Sequence, residues 1–155
     1  MTTLTDEEAF ALGVRAIRAG MTYRIGTAIL FWWKAPGGFA LPRRRGVIVD
    51  IGKGENDIRV DDGSERVRCL WGHGNVPDLR DPGTKGHAIA QLRERTKGAE
   101  LSARCDVGKD EFGKRWTNWY VGSDEHGGLL TDAPEPCTTE EEAIVAAFEA
   151  TKETP

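Results

Sequence analysis

The sequence predicts an α+β fold, mainly β: an N-terminal helix with a small barrel, followed by a short helix and a β-β-β-α unit. Three observations predict it. Two Thr-x-x-Glu capping signatures, Thr5 to Glu8 and Thr139 to Glu142, open helical patterns near the two ends. Between them run short apolar or alternating segments, bounded by glycine, proline and aspartate. With 155 residues, 39% of them hydrophobic and 30% charged, the chain can bury a core without staples.

Residues 5–19 read as the first helix. Phe10, Val14 and Ile17 recur at helical spacing, with Leu12 nearby. Arg15 and Arg18 fall in the last turns, where the helix dipole favours cations, and Gly20 supplies a stop. Residues 23–33 read as a strand that ends in Phe31-Trp32-Trp33, and two prolines and two glycines mark 34–42 as a loop. Residues 44–51 make a second strand, 52–56 a turn, and 57–61 an alternating third strand. Asp62-Gly63 is a hairpin signal, because both residues tolerate positive φ, and 65–71 form the strand that follows. Residues 72–84 are a linker by composition. A short helix covers 85–97, with Ala88, Ile89 and Leu92 on one side, and Gly98 ends it. The cations Arg93, Arg95 and Lys97 near its C-terminus read as surface residues that complement the dipole.

The last third reads as strands over 101–107, 115–121 and 129–131, with turns at 108–113 and 123–128. Pro134 and Pro136 break regular structure, and a final helix turns Ala143, Ile144, Ala147 and Phe148 inward. The expected units are therefore 1–80 (helix and barrel), 81–98 (linker and short helix) and 99–155 (β-β-β-α module).

Four stretches carry a resemblance: Tyr23-Arg-Ile-Gly26, Gly46-Val-Ile-Val-Asp-Ile-Gly52, Ile58-Arg-Val-Asp-Asp-Gly63 and Val67-Arg-Cys-Leu-Trp71. Together they resemble an SH3-like small β-barrel of the kind seen in KOW and Tudor modules, over about residues 23–80. Such barrels have a long first loop, then a Gly-Val-Ile/Val strand, then a tight hairpin. The resemblance implies binding of protein, peptide or nucleic acid and does not choose among them. Residues 99–150 weakly resemble the three-strand-plus-helix modules of phage integrase arm-binding domains. The start of the last helix, Thr139-Glu-Glu-Glu-Ala-Ile144, is also similar, one register out, to small phage proteins whose final helix begins Thr-x-Glu-Glu-Ala.

Charge is unevenly distributed. Between Glu8 and Asp50 there is no acid, and Arg15, Arg18, Arg24, Lys34, Arg43, Arg44 and Arg45 give a net +7. From Gly122 onward nine acids face Lys152, a net −8, although the whole chain carries only −4. A basic block of this kind can serve an anionic partner, or the two blocks can face each other and cancel. Adjacent residues of a strand point to opposite faces, so Trp32 and Trp33 cannot share one core. The expected nucleic-acid surface is therefore Lys34, Arg43, Arg44 and Arg45 beside Trp33, since cations next to an aromatic platform suit backbone contact and base stacking. Trp116 and Trp119, three apart, should lie on opposite faces of their strand.

Glu140, Glu141 and Glu142 stabilise a helix start. In an alternative reading, Glu140 and Glu141 with Trp119 form a protein-binding surface, as in a phage-encoded inhibitor of host defence that imitates nucleic acid.

Other chemistry is thinly supported. Cys69, Cys105 and Cys137 are odd in number and widely spaced, which fits reduced thiols. Cys69-x-x-x-His73, with His87, Cys105, His126 or Cys137, could supply zinc ligands, but no close pairing marks a site. The pairs Cys69/His73 and Cys105/His126 are the conceivable nucleophile–base combinations. No nucleophile elbow or phosphate loop is present. No stretch reaches membrane-span length, and the acidic start is unlike a secretory signal. The expectation is a cytoplasmic, non-enzymatic binding protein without metal or cofactor, encoded by a phage or mobile element. It contacts nucleic acid or, alternatively, a host protein; a small enzyme of unrecognised type is the third reading.

Overall fold

The computed structural model describes residues 3–31, 44–72, 74–96, 101–122 and 137–151. Three helices and two antiparallel sheets are arranged as α1 (Asp6–Arg18), β1 (Ala28–Phe31), β2 (Arg44–Ile51), β3 (Asp57–Asp61), β4 (Arg66–Leu70), β5 (Asn75–Pro77), α2 (Pro82–Thr96), β6 (Ser102–Lys109), β7 (Arg115–Gly122) and α3 (Glu140–Ala150). The fold is α+β, but helix and strand hold nearly equal shares of the described residues, so "mainly β" is corrected. The larger sheet has the order β4-β3-β2-β1-β5, and β6 pairs with β7 as a separate two-stranded ribbon. The larger sheet is curled and barrel-like. A bulge between Ile48 and Asp50 interrupts the β2–β3 register, and bulges bend and twist the strand that carries them.

The strand expected over 23–33 begins later, at Ala28. The hydroxyl of Thr27 accepts from Arg24 N–H (3.2 Å), and Thr27 N–H donates to Arg24 O (3.0 Å). These bonds close a turn through Gly26, whose φ is +94°. Residues 72–84 are more than a linker. They contain β5, which pairs with β1, and the start of α2. Asn75 anchors β5: its side chain donates to Leu70 O (2.8 Å) and accepts from Gly72 N–H (3.1 Å). Helix α2 starts three residues before the expected 85. Pro82 occupies its first position, where no amide hydrogen is needed, and the Asp81 carboxylate accepts from Thr84 N–H (2.8 Å). Lys97, Gly98 and the expected third strand over 129–131 lie outside the described residues.

Period-two alternation divides the core. Ile29 of β1 joins Ile48, Ile58, Val60 and Trp71 inside the curl of the sheet. Its neighbour Leu30 points the other way, into a larger cluster with Leu12 of α1, Leu92 of α2, Val121 of β7 and Phe148 of α3. The most buried face of α1 is Ala9, Leu12, Gly13 and Ala16, while Phe10, Val14 and Ile17 are only partly buried. The expected stripe is therefore rotated, because small residues let β5 approach the helix. Arg95, expected at the surface, donates to Ala19 O (3.0 Å) and Phe148 O (3.3 Å), and its guanidinium lies 5.0 Å from the Phe148 ring centroid. It ties α2 to the ends of α1 and α3.

Candidate functional site

Among the described residues of the N-terminal basic block, Arg15, Arg24 and Arg45 have partners within the fold. Arg15 pairs with Glu149 of α3, 134 residues away. Arg24 pairs with Glu94 of α2 (3.0 Å). Arg45, one of the expected nucleic-acid contacts, reaches Asp6 (3.2 Å) and Asp78 (3.7 Å). Arg80 also holds Asp6 (2.7 Å) and Asp78 (2.9 Å). The hydrogen bonds from Arg80 and then Arg45 keep the Asp6 carboxyl below its ordinary pKa. Trp33, Lys34 and Arg43 lie outside the described residues, and Arg44 is placed only by its backbone, opposite Phe31 at the start of β2. Of the five expected residues, Arg45 is the one whose side chain lies among the described residues.

A different set of arginines does share a surface. In β3 and β4, alternation turns Ile58 and Val60 inward and Arg59, Arg66 and Arg68 outward. The register sets Arg59 directly opposite Arg68, Asp61 opposite Arg66, and Val47 opposite Asp61. Arg45, two residues before Val47, is on this same face. Arg68 is 73% exposed at its side chain yet makes a two-pronged bond to Asp57, Nε to Oδ1 at 3.0 Å and Nη2 to Oδ2 at 2.8 Å. That fork holds Asp57 below its ordinary pKa. Arg59 is looser, 4.0 Å from Asp50. Beside this face lies a shallow groove of about 590 Å³. Ala28, Val47 and Val49 line it together with the charged Arg45, Arg80, Asp61, Asp62, Asp78 and Asp81. The part of this signal that the sequence carries is Arg66 and Arg68 at alternate positions of β4, one hairpin away from Arg59.

The alternative set, Trp119, Glu140 and Glu141, does converge. All three line one cleft of about 550 Å³ between the ribbon, the start of α3, α2 and the N-terminal segment. Thr139 caps α3 by accepting from Glu142 N–H (3.2 Å), which directs Glu140 and Glu141 into this region. Lys85 lies 3.0 Å from Glu140 and 3.1 Å from Glu141. Burial opposes the Lys85 charge, but the two carboxylates outweigh it and raise the pKa above the ordinary lysine value. Trp116 and Trp119 diverge as expected: Trp116 is 46% exposed and lies over Gly108, and Trp119 packs on the larger core cluster.

The three cysteines are free thiols, and no group of three or more His, Cys, Asp or Glu with metal-binding geometry occurs among the described residues. No helix among them is long and apolar enough to cross a membrane. Comparison with known proteins finds no matching family model, no matching curated protein and no matching solved structure.

Proposed function

We propose that the chain is a binding protein that contacts the phosphate backbone of nucleic acid through the outer face of β2, β3 and β4. The barrel is read as SH3-like. One long connection between β1 and β2, followed by short connections from β2 to β3 and from β3 to β4, supports that reading. The proposal moves the contact surface from the loop cations to Arg59, Arg66 and Arg68, with Arg45 at its margin.

The observation that carries it is the direct opposition of Arg59 and Arg68 across the β3–β4 ladder. Like charges directly opposite one another destabilise a sheet; Asp57 and Asp50 offset part of that cost, and an anion held between the arginines offsets more. Arg66 and Arg68 are two positions apart on one strand, a separation of about 7 Å that suits successive phosphates. The fork of Arg68 to Asp57 uses one edge of the guanidinium and leaves the other toward solvent. Val47 and Val49 add apolar surface to the groove beside Arg45, where a base can rest.

The test is a mobility-shift titration with a labelled single-stranded oligonucleotide at several salt concentrations. Binding should weaken steeply with salt. Arg59→Gln and Arg66→Gln should each lower the slope of log affinity against log salt by about 0.7. Absence of a complex at low salt, or variants that bind as the unaltered chain does, would defeat the proposal.

A further inference from the structure

The cleft at the foot of the ribbon is built independently of the arginine face and has the opposite electrostatic character. Two carboxylates, Glu140 and Glu141, share the single ammonium of Lys85. The other cation on the wall, Arg80, is already bound by Asp78 and Asp6. Arg80 and Arg45 cancel against Asp6 and Asp78, so the group of Lys85, Glu140 and Glu141 keeps one negative charge. Trp119 and Leu4 add apolar wall next to it.

We propose that this cleft docks a segment of a partner protein by receiving one of its cationic side chains, arginine or lysine, between the Glu140–Glu141 pair and Trp119. Charge complementarity selects this occupant. Carboxylates beside an indole bind cations by ion pairing and by attraction to the ring. An anion is disfavoured, because two carboxylates face the space and Lys85 is already held by both. The volume of about 550 Å³ accommodates a side chain with its neighbouring backbone rather than a whole domain. Partner binding displaces the Lys85 ammonium from one carboxylate, so Lys85 competes with the guest.

The experiment titrates the full chain with acetyl-Gly-Leu-Arg-Leu-Gly-amide and with the same peptide carrying citrulline, the neutral isostere, in place of arginine. The indole N–H resonance of Trp119 is followed by NMR. The arginine peptide should shift that resonance and bind about tenfold more tightly than the citrulline peptide. Glu140→Gln and Glu141→Gln should each weaken it about fivefold, and Lys85→Met should strengthen it about fivefold by removing the competitor. Equal binding of the two peptides, no movement of Trp119 at millimolar arginine peptide, or weaker binding by a folded Lys85→Met variant would overturn the proposal. So would movement of Trp119 by an oligonucleotide in place of the peptide. The comparison of the two peptides on the unaltered chain decides the matter even if a variant fails to fold.

Discussion

Gly13 of α1 lies so close to β5 that a β-carbon placed on it would come 2.6 Å from Val76 Cγ2 and 2.7 Å from the Pro77 carbonyl oxygen. Replacing it with alanine has two opposing effects. Helix propensity favours alanine by about 1 kcal/mol, whereas forcing a methyl group into a filled contact costs about 1–3 kcal/mol. One of the obstructing atoms belongs to the backbone and cannot rotate away, so the second effect wins. Gly13→Ala should lower stability by about 1–2 kcal/mol in urea denaturation. A variant more stable than the parent would show that α1 and β5 are less closely held.

Gln91 joins α2 to the chain after α1. Its side-chain oxygen accepts from Thr22 N–H (2.8 Å), and its amide donates to Thr22 O (2.9 Å). Gln91 is buried. Gln91→Met fills a similar volume but leaves both backbone groups of Thr22 without these partners. The expected loss is about 1–3 kcal/mol, read from thermal and chemical unfolding.

The Arg68–Asp57 pair should make stability depend on acid. Asp57 titrates below its ordinary value of 3.8 in the folded chain, through the Arg68 hydrogen bonds first. A lowered carboxyl pKa gives stability that is present above the unfolded value and is lost as pH falls through the folded one. The stability gap between the parent and Arg68→Met should therefore be widest near pH 7 and shrink below about pH 4. A gap that stays constant from pH 7 to pH 3 would contradict the assignment.

Two of the three thiols should resist modification. Burial raises the pKa of Cys69, with a contribution from Asp57, and burial also raises that of Cys137, with a contribution from Glu142. The reactive species is the thiolate, so at pH 7.5 iodoacetamide should alkylate both slowly in the folded chain and quickly after denaturation. Peptide mass analysis reports each position separately. Rapid labelling of either residue in the folded state would be inconsistent with its placement.

Much of the fold is legible in residue patterns. Both Thr-x-x-Glu signatures cap helices as read, at Thr5 and Thr139. The hairpin at Asp62-Gly63 forms with Gly63 at φ +94° and with Asp62 accepting from Ser64 and Glu65. What the patterns hid has physical causes. β5 is three residues long, too short to show alternation, and its place depends on Asn75 and on pairing with β1. The buried face of α1 consists mostly of small residues, which hydrophobic spacing overlooks. The sites were harder to find. A run such as Arg43-Arg44-Arg45 is conspicuous in sequence, but charge counts do not reveal that Arg45 faces Asp6 and Asp78. Arg59 and Arg68 lie in separate strands, and only the register makes them neighbours.

The flanks of the five-stranded sheet are unequal. Helix α1 lies against β5, whereas β4 has no further strand beside it among the described residues and carries Arg66 and Arg68. Another chain that extended this sheet alongside β4 would meet Arg66 and Arg68 there. A two-fold join at that edge would bring the arginines of both molecules close together. Their repulsion would oppose the pair most strongly in dilute salt, where screening is weakest.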